Sequence, residues 1–255
     1  MKRPLRPTIL RFDALPSTNT EAAAQALRGA PEGLCVVARE QTSGRGRAGR
    51  AWLSPTDAGL YFSIVLRPEE LARRSWPLIT LLAALAVRDA LFEACELETD
   101  IKWPNDIMAE ERKLSGILAE TIETETGRAV ILGIGINLDD RAFPPELKEI
   151  ATSVASLRGS VPEREQLIEA LIRAIGRHYE TLQAAHGEER IICAWTASSS
   201  YAEDRRVRVA LAEETFEGLT RGLEPDGALR VETAEGKIRI VHAGDITSLR
   251  LAKES

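Results

Sequence analysis

The sequence predicts an α+β protein: a mixed sheet backed by helices over residues 1–200, then a small β-barrel over residues 201–255. Two observations carry this. Short, partly β-branched apolar runs bounded by turn residues are interleaved with long segments of helical periodicity. Beyond Ser198-Ser199-Ser200 the pattern changes to five short strands in about fifty residues, which suits a small barrel better than more mixed sheet. A chain of 255 residues with 44% hydrophobic and 28% charged residues is long enough and apolar enough to bury a large core.

In chain order, Ser17-Thr18-Asn19-Thr20 followed by Glu21 and an alanine-rich run reads as a helix start, closed at Gly29-Ala30-Pro31. That helix is expected to be the first structured element. Leu34 to Ala38 and Gly59 to Leu66 read as strands, with a segment rich in Gly and Arg between them. The run Leu78, Ile79, Leu81, Leu82, Leu85, Ala86, Leu91 predicts a long buried helix with Pro77 in its first turn. Ile101-Lys102-Trp103 reads as a strand stopped by Pro104, and Asn105-Asp106 as a turn. Gly116 to Ile122 and Ala129 to Ile136 form a strand pair joined near Thr126-Gly127. Residues 138–161 are expected to be irregular. Leu167, Ile168, Leu171, Ile172, Ile175, Tyr179 and Leu182 share one face of an amphipathic helix. The barrel strands are Arg206 to Leu211, Thr215 to Leu223, Ala228 to Val231, Lys237 to Val241 and Ile246 to Leu249, parted by turn residues such as Pro225-Asp226-Gly227.

Composition narrows the function. A net charge of −6 argues against general coating of DNA, which needs an excess of cations to neutralise phosphates. No apolar h-region follows Met1-Lys2-Arg3-Pro4, and the longest apolar stretch, Trp76 to Val87, is broken by Arg88-Asp89. A cytoplasmic, membrane-free protein is expected. Cys35, Cys95 and Cys193 are odd in number and far apart, which fits reduced core thiols better than disulfides or a cysteine zinc site. His178, His186 and His242 form no metal-ligand spacing and read as structural.

Three segments carry chemistry. Gly44-Arg45-Gly46-Arg47-Ala48-Gly49-Arg50-Ala51-Trp52 combines glycines, which let the main chain approach a ligand, with arginines, whose forked donors suit carboxylate or phosphate. A single copy between two strands favours a small-molecule anion site over a nucleic-acid arm of the RGG kind. Lys102-Trp103-Pro104-Asn105-Asp106 presents an amide and a carboxylate at a strand end, and Lys113-Leu114-Ser115-Gly116 leads a lysine into the next strand beside a small residue. Gly133-Ile134-Gly135-Ile136-Asn137 places small residues inside an apolar strand with Asn137 at its end; it lacks the third glycine and following helix of a dinucleotide fingerprint.

Taken together these segments resemble one family, the biotin protein ligases or biotin–acetyl-CoA-carboxylase ligases. The family pattern is matched in order by Ser17-Thr18-Asn19, Gln41, Gly44 to Arg50, Lys102 to Asp106, Lys113 to Gly116, Gly133 to Asn137 and Gly244-Asp245, over a span from about Asp13 to Arg250. The resemblance implies a catalytic domain like those of class II synthetases followed by an SH3-like barrel. It also implies ATP, Mg²⁺ and biotin as reactants. Biotin's carboxylate attacks the α-phosphate of Mg-ATP to give biotinyl-5′-AMP and pyrophosphate, and a lysine of a biotin carboxyl carrier protein or domain then takes the biotinyl group. A homodimer is compatible with it.

By matched position, the resemblance implies biotin contacts from Ser17, Thr18, Asn19, Gln41, Arg45, Gly46, Arg47, Lys113 and Gly116. Nucleotide contacts fall to Arg47, Arg50, Trp52, Asn105 and Asn137, with the adenine side within residues 138–152. Arg47, Lys113 and Asp106 are the catalytic candidates: two cations where like charges meet, and a carboxylate to receive the acceptor lysine's proton. Ser17 and Thr18 could instead cap their helix, Trp52 could be plain core, and Asp106 could fix its turn or help to hold Mg²⁺. Bifunctional family members carry a winged helix-turn-helix before the Ser-Thr-Asn segment, whereas 16 residues precede Ser17 here. A ligase without the repressor module, and no specific DNA binding, is therefore expected. A lipoate–protein ligase and an RNA-binding module using the Arg-Gly loop are the alternatives.

Overall fold

The computed structural model describes residues 5–211, 213–242 and 244–248. The chain opens with strand β1 (Thr8–Leu15), which runs parallel to β2 (Leu34–Gln41) through a crossover made by helix α1 (Thr18–Leu27). The expectation that a helix comes first is thus corrected. β1 lies at the sheet edge, where Arg11 and Asp13 are tolerated among its apolar residues, and this dilutes the signal.

β3 (Gly59–Leu66) pairs antiparallel with β2, and every one of its residues is buried. Helix α2 (Leu78–Cys95) follows, then the hairpin of β4 (Asp100–Lys102) and β5 (Asp106–Ala109), and the long pair β6 (Arg112–Thr124) and β7 (Gly127–Asn137). The complete order, β1-β2-β3-β7-β6-β5-β4, is a seven-stranded mixed sheet. Asp106 begins β5, opposite Lys102 and Gly116, so the turn expected at Asn105-Asp106 sits one residue earlier, at Trp103-Pro104-Asn105. Residues 138–161 contain two short helices, α3 (Pro145–Lys148) and α4 (Val154–Arg158), where only irregular chain was expected.

Helix α5 (Arg164–Gln183) packs its apolar stripe on α2, whose buried Leu78, Leu82, Leu85 and Leu91 make it part of the main core. His178 of α5 is hydrogen-bonded to Asp89 of α2 at 2.8 Å, which holds that carboxyl below its usual range. Helix α6 (Gly187–Ala197) also packs on α2 and buries Ile191 and Trp195. The sequence reading had no helix there. Cys35 and Cys95 are buried free thiols as expected, but Cys193 is exposed on α6 and is not a core thiol. Among the described residues no helix is long and apolar enough to cross a membrane.

The remaining strands, β8 (Glu203–Ala210), β9 (Thr215–Leu223), β10 (Leu229–Glu232), β11 (Ile238–Val241) and β12 (Asp245–Ser248), form a five-stranded antiparallel sheet in the order β11-β10-β9-β8-β12. Leu249, expected to end the last strand, and Arg250, at the end of the family match, lie outside the described residues. Val207, Val209, Leu229 and Val231 of this sheet belong to the same contiguous apolar cluster as α2 and β4. The buried Trp103 indole donates to the carbonyl of Gly227, in the turn that joins β9 to β10, at 3.0 Å.

Candidate active site

The site is built where the α1 start, the β2 end and the glycine–arginine loop converge over the middle of the large sheet. Ser17 precedes α1 in extended conformation; its hydroxyl makes no capping bond, yet the residue is buried. Capping alone therefore does not account for it. Thr18 donates its backbone N–H at 2.8 Å and its hydroxyl at 3.1 Å to the Gln41 side-chain carbonyl, and the Gln41 amide donates to Ser54 Oγ at 2.9 Å. Ser63, in the middle of β3, has its hydroxyl 2.8 Å from Thr18 Oγ1 and 2.7 Å from Asn19 Oδ1. Sequence reasoning missed Ser63 and Ser54. A lone serine inside an apolar strand has no local signature, although a polar residue on a fully buried strand is a usable hint.

The glycine–arginine loop is closed on itself. Trp52 N–H donates to the Gly44 carbonyl at 2.9 Å and Gly46 N–H to the Arg50 carbonyl at 2.7 Å. At Gly44 an added Cβ would stand 2.3 Å from the Trp52 carbonyl oxygen, so no larger residue fits without moving the loop. The closure holds Trp52 over the sheet. Gly116 of β6 and Gly135 of β7 are paired opposite each other, which leaves a patch free of side chains. The Trp52 ring lies on that patch, 2.6 Å from the position a Gly135 Cβ would take. Gly133 provides the same room for Asn19.

Three cations also line the site. Arg45 pairs with Glu120 at 2.9 Å, Arg47 donates to Asn105 Oδ1 at 3.3 Å, and Lys113 Nζ sits 2.6 Å from Asp106 Oδ1 and 5.4 Å from the Trp52 ring centroid. Asn105 is itself fixed, since its amide donates to the Ile117 carbonyl at 2.8 Å.

These groups line one cavity. Ser17, Thr18, Asn19, Gln41, Arg45, Gly46, Arg47, Arg50, Trp52, Asn105, Asp106, Lys113 and Gly116 all face it. Asn137 does not. Its buried amide donates to the Lys113 and Thr152 carbonyls at 3.3 and 2.9 Å, so it braces the backbone of Lys113 from behind the wall. The segment expected on the adenine side returns to the same place, with Lys113 N–H donating to the Ile150 carbonyl at 2.8 Å.

Chemically, the cavity combines neutral donors and acceptors with three cations. It suits a ligand with an uncharged polar ring and an anionic tail that meets further anions. The buried Trp52 indole N–H has no hydrogen-bond partner among the described residues, which leaves a donor for such a ligand.

Residues 12–137 match the biotin/lipoate A/B protein ligase family, and residues 204–247 match the biotin protein ligase C-terminal domain. The bifunctional ligase/repressor BirA of Bacillus subtilis is 38% identical over 241 residues, 93% of this chain and 73% of the relative. The biotin–[acetyl-CoA-carboxylase] ligase of Mycobacterium tuberculosis is 33% identical over 239 residues, 92% of this chain and 86% of the relative. Among solved structures, the Aquifex aeolicus biotin protein ligase in complex with biotin and ATP superposes with a TM-score of 0.81 at 30% identity, covering 95% of this chain and 99% of that one. The chain belongs to the biotin/lipoate protein ligase family, on its biotin protein ligase branch.

Proposed function

We propose that this cavity joins biotin to ATP and then to protein, as a biotin–protein ligase. The observation that carries the reading is that one cavity is lined both by the neutral hydrogen-bonding groups Thr18, Asn19 and Gln41 and by the cations Arg45, Arg47 and Lys113. Biotin's ureido ring needs matched donors and acceptors, which hydroxyl and amide side chains supply. Its carboxylate and the triphosphate repel one another, and the cations offset that repulsion where they meet. A biotin carboxylate oxygen bonds to the α-phosphorus as the bond to pyrophosphate breaks. In the second step the acceptor amine bonds to the biotinyl carbonyl as AMP leaves.

Arg47 and Lys113 hold the facing anions, Arg50 and Asn105 serve the phosphates, and Trp52 covers the intermediate. Asn137 supports Lys113 rather than the nucleotide. Mg²⁺ would enter with ATP, held mainly by phosphate oxygens and water. The acceptor is the carrier domain of a biotin-dependent carboxylase, and the cytoplasm is where ATP and such carboxylases meet. In the same reading the chain divides near residue 200, between α6 and β8.

Exchange of labelled pyrophosphate into ATP tests the reading. Biotin supports exchange, and lipoate supports it at least about 10²-fold less, because a site that hydrogen-bonds a ring strongly rejects an analogue without the partners. Equal exchange with lipoate overturns it. A second outcome concerns Asp106. An incoming lysine, with an unperturbed pKa near 10.4, arrives as an ammonium and must lose a proton before attacking the mixed anhydride. That Asp106 already pairs with one cation, Lys113, supports a role for it in orienting a second and accepting its proton. Asp106→Asn is expected to slow transfer from preformed biotinyl-5′-AMP more than it slows formation of that intermediate. Single-turnover measurements of both half-reactions check this, and equal losses would rule out the acceptor-side role.

A further inference from the structure

The hydrogen-bond polarity of the cavity's ring end is set from outside it. Asn19 is 4% exposed, and its amide nitrogen lies 3.3 Å from the Leu118 carbonyl and 2.8 Å from Glu120 Oε2. Both partners can only accept, so both N–H groups of Asn19 must point toward β6. Its Oδ1 therefore faces Ser63 and Gly133, where it receives the Ser63 hydroxyl and keeps a second lone pair. Glu120, two residues beyond Leu118 on β6, does not line the cavity that Asn19 and Gly133 line. The same Oε2 receives Arg45 at 2.9 Å.

We propose that Glu120 is a positioning residue for substrate specificity: by fixing the Asn19 amide it makes the ring end of the cavity an acceptor of N–H groups, and so selects a cyclic urea over rings without N–H. This rests on reading the cavity as the biotin site. A glutamine at position 120 keeps the shape but can donate as well as accept, so the Asn19 amide is free to turn over and present N–H to the ligand's N–H.

The test is steady-state exchange of the full chain with biotin as the varied substrate. Glu120→Gln is expected to raise KM for biotin about 10-fold, the size of one misaligned hydrogen bond, and to change kcat by less than about 2-fold. Asn19→Asp, which sets two carboxylates face to face, is expected to raise KM by more than 10-fold. The double variant Asn19→Asp with Glu120→Gln turns one of the two facing acceptors into a donor but leaves the Leu118 carbonyl against the new carboxylate, so its KM should return only part of the way from that of Asn19→Asp toward the parent's. That return also separates Asn19 from Arg45, since the double variant does not restore the Arg45 ion pair. An unchanged KM in Glu120→Gln, or a double variant no better than Asn19→Asp, overturns the proposal. Absence of biotin-dependent exchange in the parent chain would instead overturn the functional reading, so the two failures are distinguishable.

Discussion

Lys113→Ala is expected to slow biotin-dependent ATP–pyrophosphate exchange by about 10²-fold or more, the usual loss when one preorganised charge partner of a transition state is removed. Two effects add in the same direction. In the proposed reaction the ammonium is lost from where biotin's carboxylate would meet the triphosphate. In addition, Asp106, whose carboxylate sits 2.6 Å from Lys113 Nζ, is left as a further anion beside them. Arg47→Ala should give a loss of the same order, moderated because its neutral partner Asn105 stays anchored to the Ile117 carbonyl. Cys35→Ser provides the contrast. Cys35 is fully buried, its thiol is pushed up to about 12 by burial, and it lies outside the cavity, so the rate per folded molecule should be unchanged. Rapid-quench measurement of biotinyl-5′-AMP formation decides: normal rates in both cationic variants would refute the role given to their charge.

The second large effect comes from adding one methyl group. Gly133→Ala places a Cβ 2.1 Å from Asn19 Oδ1 and 2.8 Å from its Cγ, far inside van der Waals contact. Asn19 cannot swing away freely, because Ser63, Leu118 and Glu120 all hold its amide. Either the α1 start shifts or β7 bends. Overpacking of this kind costs about 1–3 kcal/mol, which for a chain of this length lowers Tm by roughly 2–12 °C. The displaced amide should also raise KM for biotin by about 10-fold or more, since a ring hydrogen bond is lost along with its geometry. Calorimetry and exchange kinetics on the same preparation read both, and a variant with parental Tm and KM would show that the close approach is not a constraint.

The site was more legible in the sequence than parts of the frame that holds it. Glycines and arginines packed into one loop, and small residues inside apolar strands, are local signals, and their chemistry survives folding: Gly116 and Gly135 meet across a ladder and make the bed for Trp52. The strongly periodic helices α2 and α5 and the pair β6–β7 were equally plain. What failed was non-local. Strand β1 gains its status from pairing with β2, and α6 from packing Ile191 and Trp195 against α2. Neither has enough periodicity of its own to announce itself. Asn137 was assigned to the ligand because an amide at a strand end looks available; whether it faces a cavity or a backbone carbonyl depends on where residues 150–152 return. Glu120 and Ser63 were invisible for the same reason, since each acts through a partner more than forty residues away in sequence.

The bond from the Trp103 indole to the Gly227 carbonyl ties the two sheets into one thermodynamic unit. Gly227 sits at φ +87° and nearly touches Leu78 and Leu81 of α2, so the β9–β10 turn is seated against the helix that forms the main core. Lifting the C-terminal sheet would strand a buried indole N–H and expose the buried Leu229 and Val231. The free energy of that opening is drawn from the global stability of the chain rather than from a local hinge. Trp103 lies two residues before Asn105. Hydrogen exchange at the β9–β10 turn and order around Asn105 are therefore expected to change together.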